Sequence, residues 1–440
     1  MSRAARTPRR ATNRDPLVGT QVELHVERVA TGGVCVGRLD GRVVFVRHAL
    51  PGERVRAIVT DGATGSFLRA DAVEVLGAPA AGRVSAPCPH ARPGGCGGCD
   101  WQHAELGTQR ALKAEIVREQ MHRLAHLDVD VRVEPLPDVA GADGPGLGWR
   151  TRVQFGVKPD GSLGLRRSRS HSLERVEDCP LAHARIRSLE PGRHTWPGAA
   201  EAELIASPED LAVVVTPSKR GAEAQMPDLG RGVALLRGDG KGGAEAVRGR
   251  PGVREHAIER TWRVSGSGFW QVHPAAADLF CAVVLELLQP RTGEHALDLY
   301  SGVGLFAGAL AGPLGAGGRV ETIESDVGAV ADARFNLAEE PSVVVREGRV
   351  EDVLKRSGLR SVELVVLDPP RAGAGADVVR WIASLTPRAV AYVSCDPASL
   401  ARDVDRFAGL GYSLTRLRAF DAFPMTQHVE CIALLTPGPA

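Results

Sequence analysis

Polar and apolar residues alternate in short stretches over residues 22–76. Val22-Glu23-Leu24-His25-Val26 changes face at every step, residues 42–46 form a compact apolar run, and residues 55–60 follow the Pro51-Gly52 turn. A period of two over such lengths, punctuated by glycine turns, predicts the strands of a small barrel. The pattern then breaks. Residues 84–101 are rich in Pro, Gly and Cys and predict no regular element, whereas Leu112, Ile116, Val117 and Leu124 mark one face of a helix over 108–127. Residues 149–263 read as β-rich, with strands at 153–157 and 211–216; the stretches 192–206 and 218–250 hold few large apolar side chains and read as loops. From residue 295 onward strands and helices alternate. Strands are predicted at 296–300, 320–324, 343–346, 362–367 and 389–394, helices at 326–338, 376–385 and 397–409, and two closing strands at 413–420 and 429–436. That alternation predicts a parallel sheet covered on both faces.

At 440 residues the chain is long enough for two or three domains. With 54 Lys and Arg against 53 Asp and Glu, overall basicity is excluded as a means of gripping nucleic acid, though a local basic groove is not. No apolar stretch follows the arginine-rich start, so a secretory signal is not expected and a cytoplasmic location is. The uncharged run 299–318 has the length of a membrane span, but its seven glycines and Pro313 fit a nucleotide-binding turn better. Eight cysteines are too few for a secreted disulfide scaffold, and the cluster Cys88, Cys96 and Cys99 suggests a metal.

The chemistry gathers at strand ends. Leu297-Asp298-Leu299-Tyr300-Ser301-Gly302-Val303-Gly304 is a strand entering a glycine turn and an apolar helix, and Glu324 ends the following strand, placed to bond ribose hydroxyls. NAD enzymes and S-adenosylmethionine (SAM) enzymes fit this almost equally. Asp368-Pro369-Pro370-Arg371 tips the balance, because such a proline-stopped strand end is typical of methyltransferases that act on bases. Cys395, in Ser394-Cys395-Asp396-Pro397, ends the next strand on the same edge and precedes a helix N-terminus. Methylation at C5 of a pyrimidine needs such a thiol. The uracil C5 is a poor nucleophile until a thiolate adds to C6, and a base must afterwards remove the C5 proton. Glu430, in Phe423-Pro424-Met425-Thr426-Gln427-His428-Val429-Glu430, is the candidate base.

These four segments, in this order, resemble the SAM-dependent RNA uridine C5-methyltransferases, including the bacterial ribosomal and transfer RNA enzymes, over nearly the whole chain. The resemblance implies an α/β fold: a class I SAM-methyltransferase (Rossmann-like) domain, an N-terminal OB-like TRAM β-barrel and a β-rich central domain. It implies Cys395 as nucleophile, Glu430 as base, and Gln271, Tyr300, Glu324 and Asp368 as SAM contacts. Three positions depart from the family pattern: His273 stands where Asn is usual, Ser301 where Cys is usual, and Gly348-Arg349-Val350-Glu351 where Gly-Asp-Ala-Glu is common.

Spacing alone leaves the cysteine cluster open between zinc and iron–sulfur. The resemblance implies a [4Fe–4S] cluster held by Cys88, Cys96, Cys99 and the distant Cys179 of Asp178-Cys179-Pro180-Leu181, with residues 92–95 lengthening the first loop. It also implies RNA binding by the barrel, through Val44-Phe45-Val46-Arg47 and residues 50–55, with phosphate contacts from Arg166-Arg167-Ser168-Arg169-Ser170-His171. The target uridine must leave its stack to reach a buried thiol. The expected organisation is a basic disordered tail (1–15), a TRAM-like barrel (16–80), a cysteine-bearing central domain (81–265) and a methyltransferase domain (266–440), acting as a monomer on RNA, ribosomal rather than transfer RNA, and on no membrane. A non-catalytic iron–sulfur RNA-binding protein and a nicotinamide-dependent oxidoreductase are the rival readings.

Overall fold

The computed structural model describes residues 14–219, 223–266 and 268–438. The expected tail lies outside the described residues as far as residue 13, while Arg14 and Asp15 already belong to the barrel. Arg14 bridges to Ala63, and buried Asp15 accepts the Leu17 N–H at 3.0 Å and pairs with Arg42 at 2.9 Å. The strands Gln21–Ala30, Val34–Leu39, Arg42–Arg47, Leu68–Leu76 and Arg54–Gly62 close in that order into a barrel. Their inward residues, Leu24, Val26, Val44, Val46, Val55, Ala57, Val59 and Leu68, form its core, as the period of two requires.

The central sheet has seven strands, in the order Ala244–Arg248, Val233–Gly238, Leu211–Pro217, Ala199–Ala206, Arg152–Val157, Leu163–Arg166 and Leu173–Arg175. Two expected loop regions are therefore corrected, since 192–206 contains one of these strands and 218–250 contains two. Their side chains are small because partners flank them. The strand Ala199–Ala206 pairs on both sides, with Ala202 and Leu204 buried on one face and Ile205 on the other. Ladder hydrogen bonds, not bulk, hold such a strand.

The third unit is an eight-stranded sheet in the order Val343–Glu347, Arg319–Glu324, His295–Leu299, Leu364–Leu367, Ala389–Ser394, Glu430–Pro437, Tyr412–Asp421 and Val133–Pro135. Its first five strands are parallel, and Glu430–Pro437 runs antiparallel to both neighbours. Besides the helices read from sequence, Ala276–Leu288 and Val350–Arg356 are helical.

Two elements outside residues 266–440 also pack with this sheet. Helix Leu106–Ala125 lays Ala114, Val117, Met121 and Ala125 into one core with Val390, Leu400 and Val404, and the short strand after it completes the sheet edge beside Tyr412–Asp421. The hairpin Gly252–Ala257 and Arg260–Ser265 joins the same unit through Trp262. That ring lies against Gly308, where a Cβ would approach it to 2.5 Å, so only glycine permits the contact.

One polar contact sits inside this packing. Lys113 and Asp421 are fully buried and form an ion pair at 2.5 Å, and Lys113 Nζ also donates to the Phe423 carbonyl at 3.0 Å. Burial draws the Lys113 ammonium below its ordinary range, and the charge of Asp421 opposes that. Removing one member of such a pair strands the other, so Lys113→Met is expected to destabilise the fold by about 3–5 kcal/mol in denaturant unfolding. An unfolding midpoint equal to that of the parent would show that the pair is dispensable.

Candidate active site

The strand His295–Leu299 ends in a turn that the sequence builds from strained and flexible positions. Tyr300 has φ +60°, Gly302 +53° and Gly304 +93°. Buried Asp298 accepts the Ala307 N–H at 2.8 Å, which ties the strand to the first turn of helix Leu305–Leu314. Burial holds the Asp298 carboxyl well above the usual carboxylate range. Glu324, at the end of the neighbouring strand, accepts the Gly302 N–H at 3.0 Å on one oxygen and the Ser325 and Asp326 N–H groups at 2.6 and 2.8 Å on the other. Asp298 Oδ1 and Ser301 Oγ are buried with no hydrogen-bond partner among the described residues. Orphaned polar atoms beside a glycine turn and a helix N-terminus suit a polar nucleotide-like ligand. The residues present thus fit SAM. Gln271 is buried in the link between the hairpin and helix Ala276–Leu288, and no hydrogen bond among the described residues joins it to the turn.

Further along the same sheet edge, Ser394 pairs with Cys431 as the last step of the antiparallel ladder, and Cys395 and Glu430 are the residues that flank this pair. Asp368 ends the adjacent strand, its N–H donating to the Leu299 carbonyl at 3.2 Å. The three groups feel one another. Burial, then the charges of Glu430 and Asp368, push the Cys395 thiol up to about 11, while the Arg371 guanidinium beside it pulls the other way. Burial and the Asp368 charge hold the Glu430 carboxyl well above its ordinary range, again opposed by Arg371. Burial lifts Asp368 to about 7. Asp396 caps helix Pro397–Ala408 by accepting the Ser399 N–H at 2.7 Å, which places Cys395 one residue before the helix.

Arg371 is the member of this group that the sequence reading quoted without a role. It is the one cation acting on both Cys395 and Glu430 in this constellation, and its Nη2 lies 3.4 Å from His428 Nε2. Its position immediately after Asp368-Pro369-Pro370 was the available signal. His428 is pushed down to about 4 by burial and by Arg371, so its ring is neutral near pH 7. His273, the departure from the family pattern, packs nearly parallel to Trp149 with ring centroids 6.4 Å apart.

Cys88, Cys96, Cys99 and Cys179 all line one small cavity, together with Gln102 and Arg150. Burial pushes the Cys96 thiol up to about 11 and raises Cys99 and Cys179 too. Gln102 Nε2 lies 3.1 Å from Cys99 Sγ, a contact that suits a thiolate acceptor. The donor set fits a soft metal, although among the described residues no group of three or more His, Cys, Asp or Glu is drawn to metal-binding geometry.

A larger cavity of about 400 Å³ lies where the barrel meets the cysteine loop, lined by Phe45, Arg47, Arg69, Arg167 and Arg169 among others. Arg69 stacks 4.9 Å over the exposed Phe67 ring, which meets Phe45 edge-on. Arg47 Nη2 is buried without a partner among the described residues. Of the basic run, Arg166 and Arg167 are paired to Glu201 and Glu174. No helix among the described residues is long and apolar enough to cross a membrane.

Comparison with known proteins gives a consistent picture. A family model described as tRNA (Uracil-5-)-methyltransferase matches residues 255–437, and a TRAM domain model matches residues 16–73. An uncharacterized RNA methyltransferase of Streptomyces coelicolor is 51% identical over 96% of this chain and 94% of its own. Another, of Streptomyces avermitilis, is 50% identical over 96% and 99%. Among solved structures, the Pyrococcus abyssi tRNA (uracil-54, C5)-methyltransferase matches with a TM-score of 0.69 and 23% identity, covering 94% of this chain and all of that one. This corrects the expected preference for ribosomal RNA. That preference rested on the pairing of a barrel with four cysteines, and the same whole-chain fold carries a transfer RNA enzyme. Such modules grip RNA by shape and backbone, and do not mark one RNA class. By the extent of these matches, the chain belongs to the SAM-dependent RNA (uracil-C5)-methyltransferases with an N-terminal TRAM domain.

Proposed function

We propose that this enzyme methylates C5 of a uridine in structured RNA by covalent catalysis at Cys395, with Glu430 as the base and transfer RNA as the first substrate class to assay. The observation that carries the mechanism is that Cys395 and Glu430 flank the last ladder pair, Ser394–Cys431, and that the charges of Glu430 and Asp368 act on the Cys395 thiol at the carboxyl edge of the sheet. Cys395 gives up its proton to solvent, its sulfur adds to C6 of the uracil, and the ring electrons move to C5, which becomes nucleophilic. SAM, when bound, supplies the methyl group as an electrophile. Glu430 then takes the C5 proton, the C6–S bond breaks, and the thiolate is released. Gln271, Tyr300, Glu324 and Asp368 are the residues proposed to hold the cofactor. The groove between barrel and cysteine loop, with its arginines and the Phe45–Phe67 pair, suits a single-stranded RNA segment with stacked bases.

The test is incubation of unmodified RNA, separated into classes, with methyl-labelled SAM, then nucleoside digestion and mass spectrometry. Label in 5-methyluridine from transfer RNA is the expected result. Label in a nucleoside not methylated at a pyrimidine C5 would discard the C6-addition mechanism, and label in 5-methylcytidine would discard uridine as the target.

A [4Fe–4S] cluster on Cys88, Cys96, Cys99 and Cys179 is part of the same proposal, supported by the convergence of the four side chains on one cavity. It would supply a structural staple for a loop that has little regular structure of its own. Cys99→Ser is expected to lose the iron and acid-labile sulfide that the anaerobically purified parent carries. Iron content equal in the two proteins would remove Cys99 from the ligand set.

A further inference from the structure

The segment that leads into Glu430 is held largely by parts of the chain outside the two strands it joins. Met425 sits at φ +68°, a conformation that bulky side chains rarely adopt and that persists only where the surroundings impose it. Those surroundings are specific. The Met425 N–H donates to Gln109 Oε1 at 2.7 Å, and the Met425 carbonyl accepts the Asp100 and Trp101 N–H groups at 3.0 and 3.1 Å. Gln109 is fully buried, and its amide nitrogen donates to the Trp101 and Ala104 carbonyls, so its oxygen is left facing Met425. Two residues on, the Gln427 N–H donates to Asp100 Oδ2 at 3.1 Å, while Gln427 Oε1 accepts the Gly32 N–H from the barrel at 3.2 Å. The adjacent Gly33 has φ +71°, and a Cβ there would lie 2.7 Å from the Asp100 side chain and 2.9 Å from that of Gln427. Cysteine loop and helix Leu106–Ala125 thus meet at one strained residue, five positions before Glu430, and the barrel turn joins them two residues further on, at Gln427.

We infer that Asp100 and Gln109 are positioning residues for the reaction: Gln109 holds Met425 left-handed, the Asp100 carboxylate fastens Gln427 two residues on, and together they set where the Glu430 carboxyl enters the site. The inference rests on Glu430 being the base, as proposed above. It has a particular kinetic consequence. With Glu430 displaced, the Cys395 sulfur still adds to C6 and C5 still takes the methyl group, but the C5 proton has no acceptor. The C6–S bond then stays closed, and methylated RNA remains joined to the protein.

The experiment compares full-length Asp100→Leu, Asp100→Asn, Gly33→Ala and Glu430→Gln proteins with the parent, using methyl-labelled SAM, rapid quenching and a denaturing gel that separates free RNA from protein-linked RNA. Asp100→Leu removes the acceptor for Gln427, and turnover is expected to fall about 10²-fold, the scale of a small misplacement of a reacting group. Label should collect in the protein-linked band while RNA and SAM binding stay at parental values. Asp100→Asn keeps an acceptor oxygen and should recover most of the turnover. Gly33→Ala, in the barrel, should reproduce the Asp100→Leu behaviour, and it carries the test if Asp100→Leu does not fold. The inference is overturned by parental turnover in Asp100→Leu, by a loss traced to weaker RNA binding without linked product, or by Asn failing as Leu does. If Glu430→Gln gives no linked product, the base assignment fails and the positioning role falls with it. If Glu430→Gln links while Asp100→Leu does not, the positioning role alone fails.

Discussion

Cys395→Ala is expected to abolish methylation, by at least about 10⁴-fold, as when the nucleophile of a cooperating catalytic group is removed. The loss should be of chemistry alone. The side chain is half-buried just before a helix whose cap is made by Asp396, so alanine leaves the ladder pair Ser394–Cys431 and the cap intact. Thermal unfolding should therefore match the parent, and SAM should still protect. No RNA should remain linked to this variant after denaturation. Residual methylation within tenfold of the parent would mean that the thiol is not the nucleophile.

Glu430→Gln is expected to lower turnover by about 10²–10⁴-fold, the usual worth of a positioned proton acceptor. Burial and the Asp368 charge raise the affinity of the Glu430 carboxylate for a proton, as an acceptor needs, and glutamine offers no such acceptor. The sign of the stability effect follows. A carboxyl whose folded value is raised stabilises the fold fully at low pH, and that contribution is lost as pH climbs from its unfolded value of 4.5 through the folded one. The glutamine variant escapes this loss, so at pH 8 its unfolding temperature should equal or exceed the parent's. For the parent, a thiol raised to about 11 predicts that single-turnover rates rise between pH 6 and pH 9, as the thiolate fraction grows. A profile flat over that interval would contradict the thiolate requirement.

Much of the architecture was legible because it obeys simple periods. The barrel showed alternation, and the methyltransferase sheet showed strands separated by helices whose ends carry glycine, proline or aspartate. The proposed nucleophile and base stood out as candidates for a different reason: each lies at the end of a strand inside a distinctive short motif. What escaped were features created by long-range packing. The strands in 199–206 and 233–248 are poor in bulky residues because neighbours on the ladder do the holding. Arg371 acquires its influence only when two strands bring Cys395 and Glu430 to it. Helix Leu106–Ala125 was read correctly as a helix, yet its apolar stripe could not say that its partner lies near the other end of the chain.

That last pairing bears on how the polypeptide is made. Arg418 bonds Glu134 across 284 residues, and the edge strand Val133–Pro135 can pair only after Tyr412–Asp421 has been synthesised. During translation the apolar stripe of helix Leu106–Ala125 must wait, uncovered, while the central sheet folds behind it. Contacts of such separation close slowly and leave hydrophobic surface available to unwanted partners in the interval. A chain cut short before the final strands would therefore hold the barrel and the central sheet but lack the partners that cover this helix and complete the sheet edge.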